Sequence, residues 1–304
     1  MSVKPPVRRR SRWARALREF AGISKLNLLG MIIVALAGTT AILGLLRQLF
    51  GLRFTPYDPL ATNLTAVLQA PSLTHPMGTD HLGRDLFSRV LSGASISLEV
   101  AVSVLVVALV LGVLVGLLAG FFGGLIDEIL MRVTDLFLAF PALILAAAIS
   151  ATFGASLFTT ILALGIVWWP WYARLVRSQV LSLREQEFVL AARSLGATRR
   201  RLLRKTLLPN VVPLMIVQAT LDTGFVMLAA AGLSFLGLGA QPPQPEWGST
   251  ILASLPYQPQ AWWYATFPGL ALATTALGFN LLGDGLRDWL DPSMQGVRSG
   301  VFEV

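Results

Sequence analysis

Hydrophobic positions in this chain come in blocks. They are longer than the one-sided stripe of a soluble helix, and they lack the alternation of a half-buried strand. A bilayer core takes roughly 20 consecutive apolar residues per helix. Six stretches reach that length: 26–50, 96–121, 126–153, 157–176, 211–238 and 262–282. The expected fold is all-α, a polytopic membrane protein with six transmembrane helices. Polar sequence then falls at 1–25, 51–91, 184–210 and 291–304.

The basic residues set an expected orientation. Lys4, Arg8, Arg9, Arg10, Arg12, Arg15, Arg18 and Lys25 precede the first stretch. Arg174, Arg177, Arg184, Arg193, Arg199, Arg200, Arg201, Arg204 and Lys205 follow the fourth. Cationic loops stay on the cytoplasmic side, so six spans place both segments and the C-terminus there. The loop at 51–91 and the proline-rich GAQPPQPEWG (239–248) then face outward, and Trp262, Trp263 and Tyr264 open the sixth span at the outer interface. The first stretch is too long for a signal peptide, and no small-residue cleavage site follows it.

Composition agrees with a lipid setting. Of 304 residues, 55% are hydrophobic and 13% charged, too few charges for a soluble surface. The net charge of +8 reads as positive-inside bias rather than as a nucleic-acid surface. With no cysteine, disulfides and thiolate metal sites are unavailable. The three lysines sit in no G-x-x-x-x-G-K-[ST] loop, and no G-x-S-x-G occurs, so neither a phosphate cradle nor a nucleophile elbow is present. His75, Asp80 and His81 share a loop without helical ligand spacing, so no metal site is expected. Nothing points to catalysis by this chain.

Within the spans, Gly112, Gly116 and Gly120 are four apart. They form either a close-approach seam for another helix or glycines merely tolerated in lipid. Pro141, Pro170, Pro213 and Pro268 each remove a backbone donor and can kink a span. EFVLAARSLGATRRRLLRKTLLPN (187–210) holds six basic residues and one acid. A helix from Glu187 to Leu195 ends in a left-handed cap at Gly196. A second run, 198–208, starts at Thr198 as N-cap and stops at Pro209. The small Ala191, Ala192 and Ser194 leave one side of the first helix slim enough for a groove on another protein. The alternative is a basic hairpin on anionic lipid.

The spacing Ala191-Ala192-x-x-x-Gly196 with Leu208-Pro209 resembles the EAA signature of permease subunits of ABC importers. Leu190 stands where that signature has Glu and Thr206 where it has Ile, and Glu187 supplies an earlier acid. HPMGTDHLGRDLFSRVLSGASISL (75–98), FFGGLIDEILMRVTDLFLAFP (121–141), LSFLGLGAQPPQPEWG (233–248) and FNLLGDGLRDWLDP (279–292) are similar to dipeptide, oligopeptide, nickel and glutathione permeases, and most similar to the C-type dipeptide permeases. The resemblance implies a type I ABC importer permease fold: a cytoplasmic tail at 1–25, a peripheral helix at 26–50, an external loop at 51–91, and a five-helix core at 92–290 with a coupling segment at 184–210. A cytoplasmic tail at 291–304 completes it. It further implies a homologous second permease, two ATPase subunits that bind the ATP and Mg, and an external solute-binding protein. In that setting Glu187, Ala191, Ala192, Gly196, Leu208 and Pro209 are the ATPase-coupling residues. The implied substrate is a di- or oligopeptide. Nickel or glutathione, or a stand-alone channel, are the alternatives.

Charges inside spans need a role or a partner. Glu128, Arg132 and Asp135 have the spacing to pair along one helix face. Asp222 has no cation at helical spacing, so it either lines the pore or bonds a facing helix. WWPWY (168–172) puts Trp168 and Trp171 where they either stack on substrate or join an aromatic belt. Arg84 and Asp85 either touch the binding protein or cap the second span.

Overall fold

The computed structural model describes residues 25–52 and 54–290, so the expected tail at 291–304 and all but Lys25 of the expected tail at 1–25 lie outside the described residues. The described chain is helical, with no strand among the described residues beyond one bridge between Thr79 and Asp85. Helix α1 (Lys25–Phe50) leads through the loop to α2 (Leu86–Phe122). Gly123 and Gly124, at φ of 66° and 55°, turn the chain through a region that side chains disfavour. Then come α3 (Gly124–Leu138), α4 (Ala142–Phe153) and α5 (Leu157–Leu183). The short α6 (Glu187–Ser194) follows. Next are α7 (Arg199–Arg201), a π-helical turn (Leu202–Leu207) and α8 (Leu208–Phe235). The described residues close with α9 (Trp247–Ser254) and α10 (Trp262–Leu290).

The fold is all-α as expected, but the six spans are not all reproduced. Four helices are long and apolar enough to cross a membrane: Lys25–Phe50, Leu86–Phe122, Arg199–Phe235 and Trp262–Leu290. The third expected stretch is a broken helix: α3 and α4 meet at a bend of 85° and make a fifth span if counted as one. Pro141 causes the break. It lacks a backbone N–H and biases Phe140 away from helical angles. The fourth stretch is a continuous helix, α5, but WWPWY, Arg174 and Arg177 dilute its apolarity below that of the others.

Among the described residues, helices α2 and α5 share the most extensive interface. The glycine seam lies in it. A Cβ on Gly116 would fall 2.5 Å from the Ala173 carbonyl oxygen, one on Gly120 2.8 Å from Val180 Cβ, and one on Gly112 would strike Tyr172. Only glycine permits this approach, and it maximises dispersion contact where lipid supplies no hydrophobic drive. α1 is an edge helix that buries only Asn27, Gly30, Ala37 and Gly44, against α2 and α10.

The acids of α3 pair differently from the expectation. Glu128 and Arg132 lie 3.9 Å apart, but Asp135 accepts from Arg174 of α5 at 2.6 Å. Asp127 takes Arg177 of α5 through both its oxygens, at 2.5 and 2.6 Å. Opposite charges on adjacent helices thus tie α3 to α5 rather than lacing one helix face.

Candidate functional site

The short helix α6 projects beside the ends of α2 and α5. Its Val189 is buried, while Phe188, Leu190 and Leu195 are exposed. Glu187 and Ala191 are exposed and Ala192 is half-buried. Gly196, at φ 78°, closes the helix. Its N–H donates to Arg193 O and the N–H of Ala197 to Ala192 O, both at 3.0 Å. These are the carbonyls a helix end leaves without partners. Thr198 Oγ1 accepts from the Arg201 N–H at 3.4 Å, the N-cap expected from sequence.

Beyond that cap the structure corrects the expectation. Pro209 does not end the second helix; it sits in the first turn of α8. The proline has no N–H to give and its ring crowds the carbonyl four residues back. The backbone widens into the π-helical turn, and Leu208 N–H reaches back to Leu203 O. Such turns insert a residue without breaking a helix. Arg199 to Phe235 is therefore one continuous helix of 37 residues. Of the expected coupling residues, Glu187, Ala191, Ala192 and Gly196 gather on α6 and its cap. Leu208 and Pro209 lie beyond the π turn on α8.

Arg193, Arg199, Arg200, Arg201, Arg204 and Lys205 have no carboxylate partner among the described residues. Arg199 lies over the Phe122 ring, 6.0 Å from its centroid.

Asp222 lies half-buried on α8. Tyr172 Oη of α5 donates to its Oδ2 at 2.7 Å, and Gln218 Nε2 donates to Oδ1 at 3.0 Å. Of the WWPWY run, it is Tyr172 that reaches this acid. Trp168 is half-buried and Trp171 is exposed, while Trp169 is buried edge-on to Phe137 with centroids 5.5 Å apart. Tyr172 and Gln218 were not singled out in the sequence. Gln218 was findable, four residues before Asp222 on one helix face; Tyr172, fifty residues away, was not.

In the loop at the other end, Asp80 is fully buried. It accepts from the N–H groups of Leu82 and Arg84, both at 2.9 Å, and from Arg84 Nε at 2.6 Å. Arg89 Nε lies 3.5 Å from the same carboxylate. Asp85 caps α2 by accepting from Ser88 N–H at 2.8 Å, and it holds His75 Nδ1 at 2.9 Å. Arg84 and Asp85 are 5% and 3% exposed, so both charges are spent inside the chain. Of the two, Asp85 caps α2 and Arg84 holds Asp80. His81 Nδ1 meets Tyr264 Oη at 2.8 Å. Burial pushes the His81 imidazole below its ordinary value, against the opposing pull of Asp80. Among the described residues, no group of three His, Cys, Asp or Glu side chains is disposed to hold a metal.

The long apolar helices place the protein in the class of multi-pass membrane proteins. A chain of the inward-facing MetNI methionine ABC transporter superposes with a TM-score of 0.55 at 19% identity, covering 67% of this chain and 97% of that one. The match to the family described as "Binding-protein-dependent transport system inner membrane component" covers residues 112–296, and the chain belongs to that family. Several relatives match over most of their length. A probable D,D-dipeptide transport system permease protein of Escherichia coli (strain K12) is 43% identical, over 98% of this chain and 97% of its own. A dipeptide transport system permease protein of Alkalihalophilus pseudofirmus is 42% identical, over 94% and 91%. A nickel transport system permease protein of Escherichia coli (strain K12) is 44% identical, over 88% and 94%. The protein is thus a membrane permease with the fold of an ABC importer subunit, as the resemblance in its motifs implied.

Proposed function

We propose that this chain is one of two homologous permease subunits of an ATP-driven importer, moving di- or oligopeptides across the cell inner membrane. Two cytoplasmic ATPase subunits bind the ATP and Mg, and an external solute-binding protein delivers the peptide. The chain itself performs no catalysis. The observation that carries the coupling role is the lever built from α6. An exposed, slim helix ends at Gly196, and beyond the bend a single 37-residue helix runs to Phe235. A push on α6 is transmitted through the bend into a span instead of being lost in a flexible loop. The exposed Phe188 and Leu190 supply apolar contact for an ATPase groove, and Ala191 leaves room for it.

The peptide substrate is supported by the two dipeptide permeases among the relatives. A nickel or glutathione importer is the second reading, since permeases for both are 44% and 43% identical to this chain.

Ala191→Arg tests the coupling. Ala191 is exposed, so the change leaves the chain's own packing intact. The variant is expected to reach the membrane in normal amount but to lose ATPase assembly, or to hydrolyse ATP without importing. Normal import by this variant in proteoliposomes removes the docking role. Supplying the assembled transporter and its binding protein with labelled dipeptide, nickel and glutathione in turn separates the two substrate readings.

A further inference from the structure

A cavity of about 590 Å³ lies between α5, α8 and α10, towards the end of the molecule that carries α6. Its size is in the range of small-molecule sites, roughly 300–1,000 Å³. The groove between α2 and α8 is lined by apolar side chains apart from two threonines. The wall here instead carries Gln179, Asn210, Gln218 and Arg287. Arg287 is exposed. It has no carboxylate partner among the described residues, although Asp284 and Asp288 flank it on α10.

Gln218 is also the link to Asp222. Its Nε2 donates to Asp222 Oδ1 at 3.0 Å. With the amide NH2 turned to a carboxylate, the carbonyl oxygen of Gln218 is left as an acceptor on the cavity wall. Asp222 receives two neutral donors, Tyr172 and Gln218, but no cation among the described residues. A carboxylate in a span ordinarily has a counter-charge or a function.

Gly283 of α10 packs against Leu221, the neighbour of Asp222: a Cβ on Gly283 would fall 2.6 Å from Leu221 Cδ2. α8 and α10 run antiparallel, so Arg287, about one turn past Gly283, lies nearer the α6 end than Asp222.

We propose that this cavity is the chain's share of the translocation path. The Gln218 carbonyl on the wall, with the Asp222 carboxylate behind it, takes the ammonium of a short zwitterionic peptide, and Arg287 takes its carboxylate. The inference rests on the peptide reading above and adds to it the residues that recognise the two termini. Charge-assisted hydrogen bonds are about twice as strong as neutral ones, so loss of either terminus is felt in affinity.

The test uses the complete transporter. Wild type in proteoliposomes first receives binding protein, ATP and radiolabelled alanyl-alanine. Absence of import overturns the peptide reading and this inference with it. With import established, the purified complex without binding protein is titrated with alanyl-alanine, its N-acetyl form and its C-terminal amide. Wild type is expected to hold the free peptide about tenfold tighter than either blocked form. Asp222→Asn is expected to abolish the preference over the N-acetyl form and keep that over the amide. Arg287→Gln is expected to do the reverse, with Arg287→Lys restoring most of the discrimination. A cation that only anchors the end of α10 changes thermal stability and leaves these ratios alone. An import-competent wild type that binds all three forms equally, or does not bind the free peptide, overturns the proposal. So do variants that keep both wild-type ratios.

Discussion

His81 shows how the loop at 51–85 is held on the spans. Its ring stacks on Tyr257 with centroids 5.6 Å apart and meets the Tyr264 hydroxyl at 2.8 Å. Burial is the largest influence and lowers its pKa; Asp80 pulls the other way, and Arg84 and Arg89 add to the lowering. The folded chain therefore prefers neutral imidazole more than the unfolded chain does. Above the ordinary value of 6.5 both states are neutral and His81 adds no pH dependence. Below it the unfolded chain takes up the proton first, so stability falls with pH until the lowered pKa of the folded state is reached. Hydrogen exchange over residues 78–86 is expected to be faster at about pH 5.5 than at 7.5, under conditions corrected for intrinsic rates. His81→Asn keeps a hydrogen-bonding group near Tyr264 and is expected to shrink that difference. The same acceleration in the variant assigns the effect to another group.

At the scale of elements, the α2–α5 seam makes a quantitative claim. Gly116 is backed by the Ala173 carbonyl oxygen, 2.5 Å from where a Cβ would stand, whereas Gly38 of α1 has nothing within 4 Å. Gly116→Leu must push the two helices apart, and overpacking of this kind costs about 1–3 kcal/mol. Gly38→Leu costs little. Thermal melting of the two variants in one detergent is expected to separate them by several degrees; equal melting would falsify the tight seam. The seam was legible as glycines four apart, but α5 as its partner was not, since periodicity marks a face without naming what it meets. The prolines make the same point. Four stand in or near spans, and only Pro141 breaks one. Pro170, Pro213 and Pro268 all lie inside continuous helices, so a proline within a span does not by itself break it. Pro209, read as a stop, is absorbed by a π turn because one extra residue frees the carbonyl it would crowd. For the candidate sites, the bend at Gly196 and the cap at Thr198 follow from local chemistry and were readable. The Tyr172–Asp222 bond and the Asp135–Arg174 pair join residues fifty and thirty-nine positions apart, where no local pattern connects them.

At the scale of the whole molecule, charge divides the two ends. At the end carrying 51–85, Arg47 pairs with Asp58, Arg84 and Arg89 share Asp80, and His75 holds Asp85. The opposite end carries Arg193, Arg199, Arg200, Arg201, Arg204 and Lys205, none with a carboxylate partner among the described residues. The hydrogen bonds identify which segments share an end. Arg184, after α5, reaches Gly120 O near the end of α2, and Trp263 at the start of α10 donates to Thr79 O in the loop. Unpaired cations resist translocation, and each near an anionic leaflet contributes about 1 kcal/mol of attraction. The basic end is therefore expected in the cytoplasm and the loop outside. The chain has no cysteine, so single introduced cysteines report without background. Leu73 and Arg200 are both exposed in the fold. A membrane-impermeant maleimide added to cells with a permeable outer barrier but an intact inner membrane is expected to label Leu73→Cys directly. Arg200→Cys is expected to label only once that membrane is opened. The reverse pattern inverts the molecule and removes α6 from the reach of any cytoplasmic ATPase. Labelling of both from outside would mean that the helices between them do not carry the chain across the bilayer as the charge distribution requires.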